Sequence, residues 1–265
     1  MNMKLLQLLL DNRRPDGKSR SRFEAATKDS GETTVYLYDP IVGSRMLAEL
    51  FGYVCAQEMV PSIDGVKDGT LVLRVNCPGG DVFAMQAIMN ALRAASERGV
   101  RLVGQVDGVA ASAATGILAV CDEVIMGAGT QYMIHNSQGM AMGDRNELRA
   151  LADLMEKVDG GMLEAYMAKS GKPEAAIRGW MDAETWFTAE QAVDNGFADR
   201  VNTGGKKAKA SADWKLDAFA NAPKAPAADP DPQPEPEPAP TALFASDDHR
   251  ERQQQRLRVL SLLTA

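Results

Sequence analysis

Apolar positions along the chain fall into short continuous runs, separated by stretches in which they recur every three or four residues. A run rich in β-branched and aromatic residues and bounded by turn formers reads as a strand, and a recurrence of three and four reads as one face of a helix. Thr33-Thr34-Val35-Tyr36-Leu37-Tyr38, stopped by Asp39-Pro40, is predicted to be a strand. Met46, Leu47, Leu50, Phe51 and Val54 then predict a helix from about Ser44 to Gln57. Thr70-Leu71-Val72-Leu73-Arg74-Val75 is a buried strand that ends in the turn Asn76-Cys77-Pro78-Gly79-Gly80. Val82, Met85, Ile88, Met89 and Leu92 share one face of a helix from Asp81 to Glu97, and the Asp81 carboxylate is placed to accept the free N–H groups of its first turn. Arg101 to Val106 is a second strand, Ser112 to Val120 a second helix, and Glu123–Met126 and Gln131–Ile134 are short strands around Gly127-Ala128-Gly129. Leu148, Leu151, Met155, Val158, Met162 and Tyr166 predict a long helix from about Asn146 to Lys169, of a length that projects outward or builds an oligomer contact; a packed helix fits the same spacing. Thr188-Ala189-Glu190-Gln191 is a capping-box signal for a last helix ending near Asn195-Gly196, and Phe197 to Val201 closes the domain as a strand. Strands alternate with helices, and the crossovers are long enough for parallel pairing, which is the α/β class.

Outside that core the pattern changes. The expected boundaries are a mobile N-terminal arm over 1–33, a globular domain over 34–203, a Pro/Ala/acidic linker over 204–245 and a short C-terminal helix over 246–265. Residues 11–33 are polar and rich in Gly, Ser, Lys and Arg, and the ten before them either dock on a partner or fold back. Their apolar run is too short to span a bilayer and has no small-residue cleavage site after it. Trp214 and Phe219 are candidates to dock on the domain. The prolines at 226, 230, 232, 234, 236, 238 and 240 make an extended spacer, followed by Ser246-Asp247-Asp248 as the cap of a helix with Leu257, Leu260 and Leu263 at its end. That end is a docking peptide, a remnant of self-cleavage, or a frayed terminus.

Composition narrows the function. A chain of 265 residues with 45% hydrophobic content can bury a full core. A net charge of -7, with no long basic run and no interleaved aromatics, argues against nucleic acid as partner. Cys55, Cys77 and Cys121 are odd in number and widely spaced, which fits neither a disulfide framework nor a zinc site, so a reducing cytoplasm is expected, with no metal and no cofactor.

Acyl transfer by a serine needs a base, an orienting acid and N–H donors aimed at the oxyanion. Ser112 begins an apolar helix among small residues, Val109-Ala110-Ala111-Ser112-Ala113-Ala114-Thr115-Gly116. Its hydroxyl is a candidate nucleophile, or a plain N-cap. His135 is the only histidine before residue 249, so it is the only candidate base in the domain; on a strand it would equally be a core residue. Gly79-Gly80 offers unshielded amides, or a turn demanded by positive φ. Asp182 and Glu184 both precede Trp186, and in an extended segment they share a face, so periodicity cannot choose between them.

Taken together, Asn76-Cys77-Pro78-Gly79-Gly80, Ser112 at an Ala-rich helix start, Met133-Ile134-His135 and Thr188-Ala189-Glu190-Gln191-Ala192-Val193-Asp194-Asn195-Gly196-Phe197-Ala198-Asp199 resemble the ClpP family of serine peptidases. More narrowly they resemble the ClpP-like head-maturation proteases of tailed bacteriophages, over about Thr34 to Val201. The resemblance implies a ClpP/crotonase-like spiral of ββα units with a projecting long helix and a disordered tail. It implies Ser112 as nucleophile, His135 as general base, and Gly79 or Gly80 with Ala113 as oxyanion donors. The family's acid, two residues before the aromatic matched by Trp186, falls on Glu184, with Asp182 as the alternative. The departures are Glu184 where the family has aspartate, Cys77 where it has serine, and Ala113 where the housekeeping enzymes have methionine.

The expectation is therefore a serine endopeptidase that cleaves scaffold, shell or portal proteins, or itself, during phage head maturation. It would act as a homo-oligomeric ring, single or stacked, in the host cytoplasm within the assembling procapsid, with no nucleic acid or membrane as partner. One alternative is a quality-control peptidase fed by an ATP-dependent unfoldase. Another is a non-catalytic crotonase-fold protein that binds acyl-CoA or serves in assembly.

Overall fold

The computed structural model describes residues 3–13, 18–24, 31–204 and 214–223. The proline-rich spacer and the helix expected over 246–265 lie outside them. Helix α1 (Met3–Asp11) and strand β1 (Arg22–Glu24) come before β2 (Glu32–Leu37). Then β3 (Ile41–Val42), α2 (Arg45–Phe51), β4 (Val54–Cys55) and α3 (Ala56–Gly65) lead into β5 (Thr70–Cys77), α4 (Val82–Glu97) and β6 (Arg101–Ala111). After α5 (Ala113–Leu118), β7 (Glu123–Gly127) and β8 (Gln131–Ile134) come α6 (Arg145–Ser170), α7 (Glu174–Asp182), β9 (Thr185–Thr188), α8 (Ala189–Asp194) and β10 (Arg200–Asn202).

The main sheet runs β1-β2-β5-β6-β7-β10, parallel except for β1 against β2. This is the expected α/β class. One face of the sheet supplies Leu71, Leu73, Val75, Leu102, Val106 and Val124 to the main core, where Met85, Ile88, Met89 and Leu92 of α4 meet them. These α4 residues are the ones whose spacing predicts the helix, and Asp81 caps it through bonds from the amides of Phe83 and Ala84.

Strand β6 carries the site because it changes partner along its length. Val103–Val106 pair with β7, whereas Val109–Ala111 pair with β8, which in turn pairs antiparallel with β9. The β5–β6 register also shifts, so that Cys77 lies opposite Ala110. The Pro78-Gly79-Gly80 turn and the residues just before Ser112 thus arrive at the same place.

The structure departs from the sequence expectation in several elements. The single helix expected over 44–57 is two, α2 and α3, because Gly52 takes a left-handed φ of 72° and closes α2 through its N–H to Ala48. Val54 and Cys55 then pair with Ile41 and Val42, and the short helix α3 with its internal Pro61 follows, unforeseen. Helix α7 was also not expected. Strand β6 continues to Ala111, and α5 is confined to Ala113–Leu118. Of the two courses open to the first ten residues, the described ones fold back: Leu8 and Leu9 are buried, and the Tyr53 hydroxyl donates to the Leu9 carbonyl at 2.6 Å. Leucines at that density bury themselves where a partner face exists, and the domain supplies one. No helix among the described residues is long and apolar enough to cross a membrane.

Candidate active site

Ser112 sits between β6 and α5 with φ 54° and ψ −123°, a conformation that L-residues rarely hold. The neighbours over-determine it. Its N–H donates to the Met133 carbonyl at 2.9 Å, and its carbonyl accepts both the Thr115 N–H at 2.9 Å and the Thr115 hydroxyl at 2.5 Å. The Thr115 hydroxyl is in turn 2.6 Å from the Tyr166 hydroxyl of α6, so the long helix braces the turn. Strain of about 1–3 kcal/mol persists only under such constraint. The Ser112 side chain makes no capping bond, which sets aside the plain N-cap role.

Its hydroxyl instead lies 2.7 Å from His135 Nε2. His135 follows directly on β8, and the pairing of β8 with Val109–Ala111 fixes the imidazole beside the serine. Burial pulls its pKa down from 6.5 to about 4, against the opposite pull of Glu184 and Asp159; Lys4 adds to the lowering. The imidazole is therefore neutral at pH 7, as a base must be. Nδ1 faces the Gln138 side-chain amide nitrogen at 3.5 Å, too long to orient the ring and the wrong kind of group to accept an Nδ1 proton.

The two candidate acids are placed differently from the expectation. They do not share an extended segment: Asp182 ends α7, while Glu184 occupies a turn at φ 47° before β9. Asp182 is exposed and accepts the Asn136 side-chain amide at 2.7 Å. Glu184 is half-buried, and its Oε1 accepts the backbone N–H of Asn221 at 2.7 Å. Neither carboxylate is hydrogen-bonded to His135, so Ser112 and His135 are brought together and the acid is not. Asp159, which the sequence reading missed, accepts the Ser137 N–H at 2.6 Å. The signal was its position four after Met155 and three before Met162, on the packed stripe of α6.

At the Pro78-Gly79-Gly80 turn both glycines need their freedom. Gly79 has φ 100° and Gly80 φ 148°, and a Cβ on Gly80 would meet the Ile41 carbonyl. The Gly79 N–H points at Cys77 Sγ at 3.4 Å, whereas the Gly80 and Ala113 amides have no acceptor among the described residues. Burial pushes the Cys77 thiol up to about 12, so it remains protonated and packs rather than attacks.

A cleft opens over these groups, lined by Pro78, Gly80, Val82, Ser112 and His135 on the domain side. Lys4 of α1 and Ala218 and Phe219 of the segment after β10 line its other side. The sequence signalled only that Phe219 was available to dock.

A sequence profile of the Clp protease family matches residues 49–205, a span that includes Gly79, Gly80, Ser112, His135 and Glu184. The proteolytic subunit 2 of the ATP-dependent Clp protease of Thermobifida fusca is 31% identical over 175 residues, which are 62% of this chain and 76% of that protein. The proteolytic subunit 1 from Protochlamydia amoebophila is 33% identical over 132 residues, 48% of this chain and 62% of that protein. The proteolytic subunit 2 from Tropheryma whipplei is 24% identical over 189 residues, 65% of this chain and 98% of that protein. With its profile match covering more than half its length, the chain belongs to the Clp protease family.

Proposed function

We propose that the protein is a serine endopeptidase in which Ser112 is the nucleophile and His135 the general base. The observation that carries this is the 2.7 Å approach of Ser112 Oγ to His135 Nε2 at a strained, braced backbone turn. Ser112 Oγ attacks the peptide carbonyl while Nε2 takes its proton, and the resulting imidazolium returns that proton to the leaving amine. Water then attacks the acyl-enzyme by the same exchange, and Ser112 is regenerated. The oxyanion is received by the amides of Ala113 and Gly80; Gly80 is favoured over Gly79 because the Gly79 N–H already faces Cys77 Sγ. Glu184 is the orienting acid, reaching Nδ1 after its bond to Asn221 is given up. Both carboxylates are held by other donors, and it is the Coulombic pull of Glu184 on His135, which Asp182 does not share, that supports Glu184.

The substrates we propose are capsid-assembly proteins (scaffold, shell or portal, or the chain itself) cut during phage head maturation by a homo-oligomeric ring. The support is the narrower sequence resemblance, together with the segments outside the core strands that pack beside the site. A quality-control peptidase fed by an unfoldase is the second reading, favoured by relatives named as subunits of ATP-dependent proteases. The 2.7 Å serine–histidine contact weighs against a non-catalytic acyl-CoA binder, for which neither side chain has a role.

Labelling by a fluorophosphonate probe tests the chemistry: the parent chain is expected to label, and Ser112→Ala and His135→Gln are not. Equal labelling of parent and Ser112→Ala would refute it. Recovery of a host unfoldase with the protein, together with ATP-stimulated proteolysis, would favour the second reading over head maturation.

A further inference from the structure

The segment after β10 is built onto the domain at one end and onto the site at the other. At its start Trp214 is buried, with its indole N–H donating to Asn76 Oδ1 at 2.8 Å; the same oxygen accepts the Val109 N–H at 3.1 Å. Asn12 of the N-terminal segment clasps Lys215 through a reciprocal pair of bonds, from Asn12 Nδ2 to the Lys215 carbonyl at 2.9 Å and from the Lys215 N–H to Asn12 Oδ1 at 2.8 Å. Leu216 and Ala218 are buried against Val109, Ala111 and Met133. Beyond this anchored stretch lies the tip. Phe219 presents its ring to His135 edge-to-face, with centroids 5.7 Å apart, and lines the cleft beside Ser112. Two residues later the Asn221 N–H takes Glu184 Oε1 at 2.7 Å, and the Asn221 side chain donates to the Ala183 carbonyl at 2.8 Å.

The two contacts at the tip act in the same direction. One walls the cleft against His135 and narrows the approach to Ser112, and the other occupies the carboxylate that would orient the imidazole. Trp186, whose ring meets Phe219 at 5.7 Å, also carries a buried indole N–H without a partner among the described residues.

We propose that residues 214–222 are a cis-acting cover of the Ser112–His135 cleft, with Phe219 narrowing it beside the imidazole and Asn221 holding Glu184 off the imidazole, so that the site is latent until the tip lifts. The proposal rests on the reading of Ser112 and His135 as nucleophile and base. Trp214, Leu216 and Ala218 remain docked in both states; only 219–222 moves. The latent state needs no cleavage, since lifting the tip frees the cleft and the carboxylate together.

The test uses the full-length chain and three variants at the tip. Phe219→Ala widens the cleft, Asn221→Pro removes the N–H that holds Glu184, and Asn221→Ala keeps that N–H while losing only the side-chain bond. Two rates are measured: fluorophosphonate labelling of Ser112 and cleavage of a short fluorogenic peptide. Phe219→Ala and Asn221→Pro are each expected to raise both rates by about tenfold or more, and Asn221→Ala to stay within about twofold of the parent. Thermal unfolding by circular dichroism identifies any variant that has lost its fold, and either of the first two decides the question alone. A rate at or below that of the parent in either variant, Phe219→Ala or Asn221→Pro, when folded would overturn the cover and leave the peptidase reading standing. No labelling of Ser112 in any chain would overturn that reading and the cover with it.

Discussion

Gly79→Ala separates what the Pro78-Gly79-Gly80 turn does for stability from what it does for the position of Ser112. Gly79 has φ 100°, so an alanine there carries strain of about 1–2 kcal/mol whatever surrounds it. Its Cβ would also lie 2.7 Å from the Ala111 carbonyl oxygen and 2.8 Å from Ser112 Cβ, where ordinary contact begins at 3.4 Å. Relief requires a movement of about 0.6 Å between the turn and Ser112, and overpacking of that kind costs about 1–3 kcal/mol. The sum is about 2–5 kcal/mol. Gly99→Ala is the control, since Gly99 has φ 95° but open space around its Cβ position, and only the strain of about 1–2 kcal/mol applies. Urea unfolding of both variants measures the difference. Because the displaced atom belongs to Ser112, the proposed nucleophile, Gly79→Ala is also expected to label at Ser112 about 100-fold more slowly, with Gly99→Ala unchanged. Wild-type labelling by Gly79→Ala, or equal destabilisation of the two variants, would refute the claim that this turn is packed on the serine.

Other expectations follow from the same geometry. His135 protonates near 6.5 when unfolded and near 4 when folded, so unfolding takes up a proton between those values; its contribution is fully present above about pH 6.5 and declines as pH falls toward 4. The loss is at most about 3 kcal/mol, and less after solvent screening of a half-buried ring; urea titrations at pH 7.5 and 4.5 should show a smaller acid-induced loss in His135→Gln than in the parent. Tyr166→Phe removes one partner of the Thr115 hydroxyl and leaves its bond to the Ser112 carbonyl, which is expected to cost about 1–2 kcal/mol and to lower kcat for peptide cleavage with KM unchanged. Gly160 and Gly161 lie inside α6 with open space at both Cβ positions, so replacing both with alanine should raise stability by about 1–2 kcal/mol, read as a higher Tm.

Strands and helices with strong periodicity were legible in the sequence; Ser112, His135 and the glycine turn were legible as candidates, each with a plain structural alternative, and it is the pairing of β6 with β5 and β8 that brings them together. Asp81 caps α4 as its position after the turn suggests, and His135 had no competitor in the domain. What could not be read depends on tertiary competition. Gly52 ends α2 although the apolar spacing runs on through it, because Val54 and Cys55 find pairing partners in Ile41 and Val42. Glu184 and Asp182 looked equivalent because an extended segment was assumed, whereas α7 ends between them and sends each to a different partner. Asp159 is 24 residues beyond His135 in sequence, and only the packing of α6 brings its charge to bear.

The alternation of side chains around the site shows which part of the 214–222 segment is permanent. Along β6, Ala110 faces the main core while Val109 and Ala111 face the other way; on β8, Tyr132 and Ile134 face the core while Met133 does not; on β9, Phe187 and Trp186 divide likewise. Strands that are apolar on both faces need cover on both. Here the second cover is Leu8 of α1 together with Trp214, Leu216 and Ala218. Lifting the whole segment would expose Val109, Ala111 and Met133 together, whereas lifting the tip exposes little. Trp214→Ala is therefore expected to cost about 3–5 kcal/mol, since it removes a buried indole and one of the two donors to Asn76. Phe219→Ala, half-exposed at the tip, should cost no more than about 1 kcal/mol while speeding the labelling of Ser112. If urea unfolding found the two variants equally destabilised, the division into a fixed anchor and a movable tip would be wrong, and the segment would be a structural part of the site throughout.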